Sequence, residues 1–119
     1  MSPAGGASEP SAVVGSYFTA IRQRDGGALR KLFAPDAELV TSGTTISGTD
    51  AIADFYETGA FGYDDLWPSP GPLEIDGGRV TVVIDLRMGG TDHTVTDTFE
   101  VSEGKIRRLE ISFLPGGRA

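Results

Sequence analysis

The chain has 119 residues, 39% of them apolar and 23% charged, a composition that suits one small globular domain with a single core. Its net charge of −7 repels nucleic acid and anionic membranes, and no basic stripe, phosphate loop, dinucleotide fingerprint or zinc-ligand spacing points the other way. Without cysteine there are no disulfides, thiol nucleophiles or cysteine-held metals, and no run is apolar enough to span a membrane.

Residues 1–8 lack both a basic start and an apolar stretch, so they read as a disordered lead-in rather than a secretory signal, and a cytoplasmic location is expected. The folded domain is expected over 9–114, with 115–119 as a flexible tail. Ser8, Glu9 and Pro10 form a helix opening, with a cap residue, an early acid and an early proline. Val14, Tyr17, Phe18 and Ile21 follow at helical spacing, and Gly26 and Gly27 are expected to end that helix. Residues 28–33 make a short second helix stopped by Pro35. Residues 37–42 alternate as a strand, with Leu39 and Thr41 on one side and Glu38 and Val40 on the other, and 44–47 suggest a brief return strand. Thr49 or Asp50 caps a third helix, whose apolar stripe is Ile52, Phe55 and Tyr56 and whose end is Gly59.

Residues 60–72 read as a loop that is unusually aromatic for solvent, carrying Phe61, Tyr63, Leu66 and Trp67. A short strand near 73–76 precedes three longer ones near 79–88, 92–101 and 105–114, separated by glycine-bearing turns. Helices first and an antiparallel meander last predict an α+β domain with its helices on one face of the sheet.

Chemistry enters on the strand near 92–101. His93, Val95, Asp97, Phe99 and Val101 share one face, while Thr94, Thr96, Thr98 and Glu100 share the other. The second face is polar, so the first points inward and carries Asp97 among apolar side chains. A buried carboxylate must be hydrogen-bonded, charge-paired or protonated, and groups so placed are often functional. Three states stay open for it: a neutral hydrogen-bond donor, an ionised base, or a structural carboxylate. His93, the only histidine, lies about 13 Å along the same face at normal strand rise. It reads as half-exposed, within reach of a cavity mouth. Val80, Val82, Ile84, Leu86 and Met88 form an inward face, which turns Asp85 and Arg87 outward. Asp64 and Asp65 read as a solvated turn.

The order of elements, together with Ala12-Val13-Val14 and Tyr17, Leu32-Phe33-Ala34 and Asp36-Ala37, Gly48-Thr49 and Ala51-Ile52 with Phe55-Tyr56, and Asp97 with Phe99, resembles the nuclear-transport-factor-2-like superfamily. The resemblance spans roughly residues 12–114 and is to the SnoaL-like polyketide cyclases and ketosteroid isomerases within it. It implies a cone-shaped, curved antiparallel sheet packed against three N-terminal helices and enclosing an apolar pocket. Tyr17 and Asp97 match the tyrosine and the protonated aspartic acid of the isomerase oxyanion hole. Tyr56 matches the tyrosine that supports the first. Thr41 stands eight residues after Phe33, where the isomerase carries its general base.

The resemblance further implies a pocket walled by Phe18, Phe33, Phe55, Trp67 and Phe113. Val82, Ile84, Leu86, Val95, Phe99 and Leu109 would line it from the sheet. The expected function is acid–base or oxyanion catalysis of a cyclisation, isomerisation or dehydration, with Tyr17 and Asp97 as catalytic groups and Tyr56, Thr41 and His93 in support. The ligand would be a hydrophobic carbonyl compound of polyketide, steroid or terpenoid type, handled without a metal or organic cofactor. The rival is a non-catalytic binding or dimeric interaction module, favoured by Thr41 in place of the base. Homodimerisation through the outer sheet face is expected by analogy.

Overall fold

In the computed structural model, residues 9–113 are described; the expected tails and the Ser8 cap lie outside them. Pro10 stands in the first turn of α1 (Pro10–Gln23), where its missing N–H costs nothing and its fixed φ suits the helix. That helix does not end at the glycine pair. Arg24 ends it in the left-handed conformation (φ 54°), its backbone N–H bonded to the Ile21 carbonyl. Gly26 and Gly27 instead open α2 (Gly26–Leu32), which Asp25 caps by accepting from the Ala28 amide at 3.0 Å. A Cβ at Gly26 would meet the Glu57 carboxylate on α3 (Thr49–Thr58), the movable end of a flexible side chain, and would displace it. α3 is capped by Gly48 at φ 97°, rather than by Thr49 or Asp50. The Thr49 hydroxyl donates instead to the Ala34 carbonyl.

β1 (Phe33–Thr41) follows α2 directly, earlier than its alternation suggested, and β2 (Thr44–Ser47) pairs back on it. After α3 come a short 3₁₀ turn (Ala60–Gly62), β3 (Trp67–Pro70), β4 (Glu74–Asp76), β5 (Arg79–Met88), β6 (Thr91–Ser102) and β7 (Lys105–Phe113). Part of the expected loop is therefore a strand. β3 pairs antiparallel with β5, and as the sheet's edge it tolerates Pro68 and Pro70, which cannot donate to a ladder.

The sheet runs β2-β1-β7-β6-β5-β3, with β4 also on β5. One pairing departs from the antiparallel expectation: β1 lies parallel to β7, so the sheet is mixed. Long-range return of the chain sets that pairing, and local alternation carries no sign of it. Register shifts between Phe33 and Glu38 and between Glu100 and Val101 bend the sheet. The helices close over its concave face, and Leu29, Leu39, Ile52, Val80, Phe99, Ile106 and Leu109 fill the space between. Among the described residues, no helix is long and apolar enough to cross a membrane.

Candidate active site

Helical spacing on α1 turns Tyr17 onto the sheet, where it is buried with its ring edge-on to Phe18 and Phe99 at 5.0 and 5.1 Å. Tyr56 descends from α3, and the two phenol oxygens meet at 2.5 Å. From below, β6 raises Asp97, which is 3% exposed and whose Oδ1 has no hydrogen-bond partner. Its register partners are Val82 on β5 and Ile111 on β7, and Ile111 in turn pairs with Thr41 on β1. One row across four strands therefore reads Val82, Asp97, Ile111, Thr41. Thr41 and Asp97 are the buried polar or charged residues of the described core, tyrosines aside.

A cavity of about 200 Å³ opens above this row. Tyr17, Tyr56, Thr41 and Asp97 stand on its wall with Tyr63, and the rest of the lining is almost wholly apolar. Burial alone pushes the Asp97 carboxyl up from 3.8 to about 7, because no cation or donor compensates the lost hydration. The Tyr17 hydroxyl is held well above its ordinary value, chiefly by burial and then by the proximity of Tyr56 and Asp97. Burial likewise raises Tyr56. At neutral pH the site thus holds two neutral phenols and a carboxyl poised between its acid and base forms. Such a set can donate a hydrogen bond and move a proton.

Six of the apolar side chains read from the sequence as lining do lie on the cavity wall: Phe18, Phe55, Ile84, Leu86, Val95 and Phe113. Phe33, Val82, Phe99 and Leu109 do not; they are buried in the solid core deeper in the cone. Trp67 is a clear correction. Its register partner is the outward-facing Arg87, it is 53% exposed, and the Arg22 guanidinium carbon lies 5.4 Å from its ring centroid. Pro68, the next residue, takes the place on the wall. His93 lies off the cavity wall, edge-on to the rim residue Phe113 at 5.7 Å.

Asp65 is the residue whose part the sequence concealed. It does stand in a surface turn with Asp64, and its carboxylate also accepts from the Gly89 and Gly90 amides at 2.9 and 2.7 Å. Those bonds, with the Gly90 amide foremost, hold its pKa below the usual value. Arg24 meanwhile donates to the carbonyls of Tyr63 and Asp64. Together they tie the 60–66 segment, which lends Ala60, Tyr63 and Leu66 to the cavity, to α1 and to the β5–β6 turn. An acid across from a glycine-pair turn was the only hint the sequence carried.

A family model for the SnoaL-like domain matches residues 14–109. No curated protein matches the chain. Among solved structures, a proposed polyketide cyclase from Sinorhizobium meliloti is 31% identical, with a TM-score of 0.72 over 83% of this chain and 92% of that one. An NTF2-like protein of unknown function from Cytophaga hutchinsonii aligns with a TM-score of 0.80 at 15% identity, covering 90% of this chain and 91% of the other. A proposed ketosteroid isomerase from Kribbella flavida reaches a TM-score of 0.80 at 20% identity, covering 90% and 78%.

Proposed function

The chain belongs to the SnoaL-like domain family, and from that premise we propose that it is an enzyme using Asp97 and Tyr17 on a hydrophobic carbonyl compound. The reaction is a cyclisation, isomerisation or dehydration, and the ligand class is polyketide, steroid or terpenoid. One observation carries this reading. Asp97 has an unpartnered oxygen buried at the wall of an apolar cavity, beside a phenol that a second phenol orients. Leaving a buried oxygen without a protein partner costs about 1–3 kcal/mol, which supports a role for Asp97 beyond holding the fold.

With Tyr56 as the donor in the Tyr17–Tyr56 hydrogen bond, which either hydroxyl can donate, the Tyr17 proton is free for the ligand's carbonyl oxygen. Ionised Asp97 takes a proton from the adjacent carbon, and the electron pair moves onto the oxygen that Tyr17 holds. The proton on Asp97 then returns to another carbon in isomerisation, or goes to a departing hydroxyl in dehydration. In cyclisation the carbanion attacks a second carbonyl of the same ligand, and Asp97 protonates the alkoxide formed. A carboxyl near pKa 7 is matched to both halves of such a cycle.

Thr41, on the first strand, favours a second reading, a module of the same family that binds the ligand without turnover. Acetophenone in D₂O separates the two. The enzyme should speed deuterium entry into the methyl group, with a rate that rises through about pH 7, and Asp97→Asn should lose that exchange while still binding the ketone. Binding without exchange in the wild type would establish the module instead. Cytoplasmic location and pairing of two copies through the outer sheet face belong to the same proposal.

A further inference from the structure

We propose that the ligand of this cavity is an uncharged, single-ring carbonyl compound bearing a second oxygen function at its far end, which Thr41 binds. The inference rests on the cavity being the ligand site and narrows what that site accepts. It stands on the row Asp97, Ile111, Thr41, whose members are successive register partners on β6, β7 and β1. Register partners project to the same face, so all three side chains rise from the concave floor. Adjacent strands lie about 4.8 Å apart, which places the Thr41 and Asp97 Cα atoms on the order of 10 Å from each other. Curvature of the sheet brings their tips closer than that.

Ile111 supplies an apolar floor between the two polar ends. A six-membered ring can lie on it, with its carbonyl toward Asp97 and Tyr17 and an opposite oxygen toward Thr41. The two ends differ in what they offer. Asp97 and Tyr17 can move a proton; the Thr41 hydroxyl can only donate or accept a hydrogen bond.

Size points the same way. The cavity of about 200 Å³ falls below the roughly 300–1,000 Å³ of sites that enclose drug-sized ligands. A four-ring compound would leave most of its surface outside, past the rim formed by Phe55, Tyr63 and Phe113. Charge narrows the class further. Neither lysine, arginine nor histidine lies on the wall among the described residues, so a carboxylate or phosphate on the ligand would enter an apolar site uncompensated.

Calorimetric binding of four probes at pH 6 tests the proposal: acetophenone, 4-hydroxyacetophenone, 4-acetylbenzoate and a tetracyclic ketosteroid. The wild type should bind 4-hydroxyacetophenone about tenfold more tightly than acetophenone, the worth of one added hydrogen bond. Thr41→Val should abolish that preference, while Thr41→Ser should keep it. The anionic and tetracyclic probes should bind at least about tenfold more weakly than acetophenone. The proposal is overturned if the hydroxyl brings no gain, if Thr41→Val retains the gain, or if the benzoate or steroid matches acetophenone. In each of those cases acetophenone still binds and the catalytic reading survives. Failure of every probe to bind would remove the cavity as the ligand site, and this inference with it.

Discussion

Two positions on one face of β6 behave oppositely. Phe99 is fully buried in the closed end of the cone, its ring against those of Tyr17 and Phe18. Asp97 comes two residues earlier, equally shielded from solvent, yet it borders open space and has no partner for Oδ1. Both point inward, and solvent accessibility alone does not tell them apart. The difference lies in what fills the volume above each: aromatic rings over Phe99, a cavity over Asp97. The closed end secures the fold, and the open end carries groups whose burial costs stability and gives reactivity.

Removing the ring at the closed end should have the largest effect. Phe99→Ala should destabilise the protein by about 3–5 kcal/mol, the usual cost of lost transfer energy plus an unfilled hole. Urea unfolding would measure it. A loss below about 1 kcal/mol would mean that the closed end is loosely packed and the contrast false.

Asp97→Asn should act in the opposite direction, and only at certain pH. The folded-state carboxyl is raised to about 7, against 3.8 for the unfolded chain, so the folded form binds the extra proton between those values. The contribution of Asp97 to stability is therefore fully present below about pH 4 and is lost as pH rises through about 7. Above that the ionised carboxylate costs on the order of 4 kcal/mol, because each tenfold change in proton affinity is worth about 1.4 kcal/mol. Asn carries no such penalty, so the variant should unfold later than wild type at about pH 8 and at a similar point at about pH 4. Parallel stability curves across this range would show that Asp97 is ionised without strain, and the open end would then be ordinary core.

Which face each residue takes was legible in the sequence, and how deep it sits was not. Period-two alternation correctly turned Asp97, Phe99, Val82 and Ile84 inward, and the same logic placed Thr41 beside Leu39. It could not say that Val82, Phe99, Leu109 and Phe33 lie in the packed end while Ile84, Val95 and Phe113 reach the cavity, because that depends on where the helices stop above the sheet. The parallel β1–β7 pairing was hidden for a related reason: it joins segments with most of the chain between them. Gly26 opens α2 instead of ending α1, because glycine serves equally at a helix end and at a helix start. The deciding contact is the Asp25 side chain, which caps the new helix at the Ala28 amide.

Tyr17→Phe tests the junction of the two ends, since Tyr17 packs against Phe99 with its ring and meets Tyr56 with its hydroxyl. The ring contacts remain, and the buried Tyr56 hydroxyl loses its partner. The cost should be about 1–3 kcal/mol, the penalty of one unsatisfied buried polar group. Exchange of acetophenone should fall as well. Lost exchange with little lost stability would assign the phenol pair to chemistry rather than to holding the helices together.

The smallest effect is expected at Trp67, which the family resemblance places on the wall. Pairing with β5 fixes its direction instead: Trp67 sits opposite Arg87 and Pro68 opposite Leu86, so the indole turns out where the proline turns in. Its contact with Arg22 is a cation–π pair at a partly exposed edge, worth about 0.5–1 kcal/mol. Trp67→Ala should therefore shift the unfolding midpoint slightly and leave acetophenone binding unchanged. Because Trp67 is the only tryptophan, its fluorescence offers an independent check. Acrylamide should quench it readily, to the same degree with and without ketone. Protection by the ketone would place the indole against the ligand, contradict the β3 register, and move the boundary of the open end out to the sheet edge.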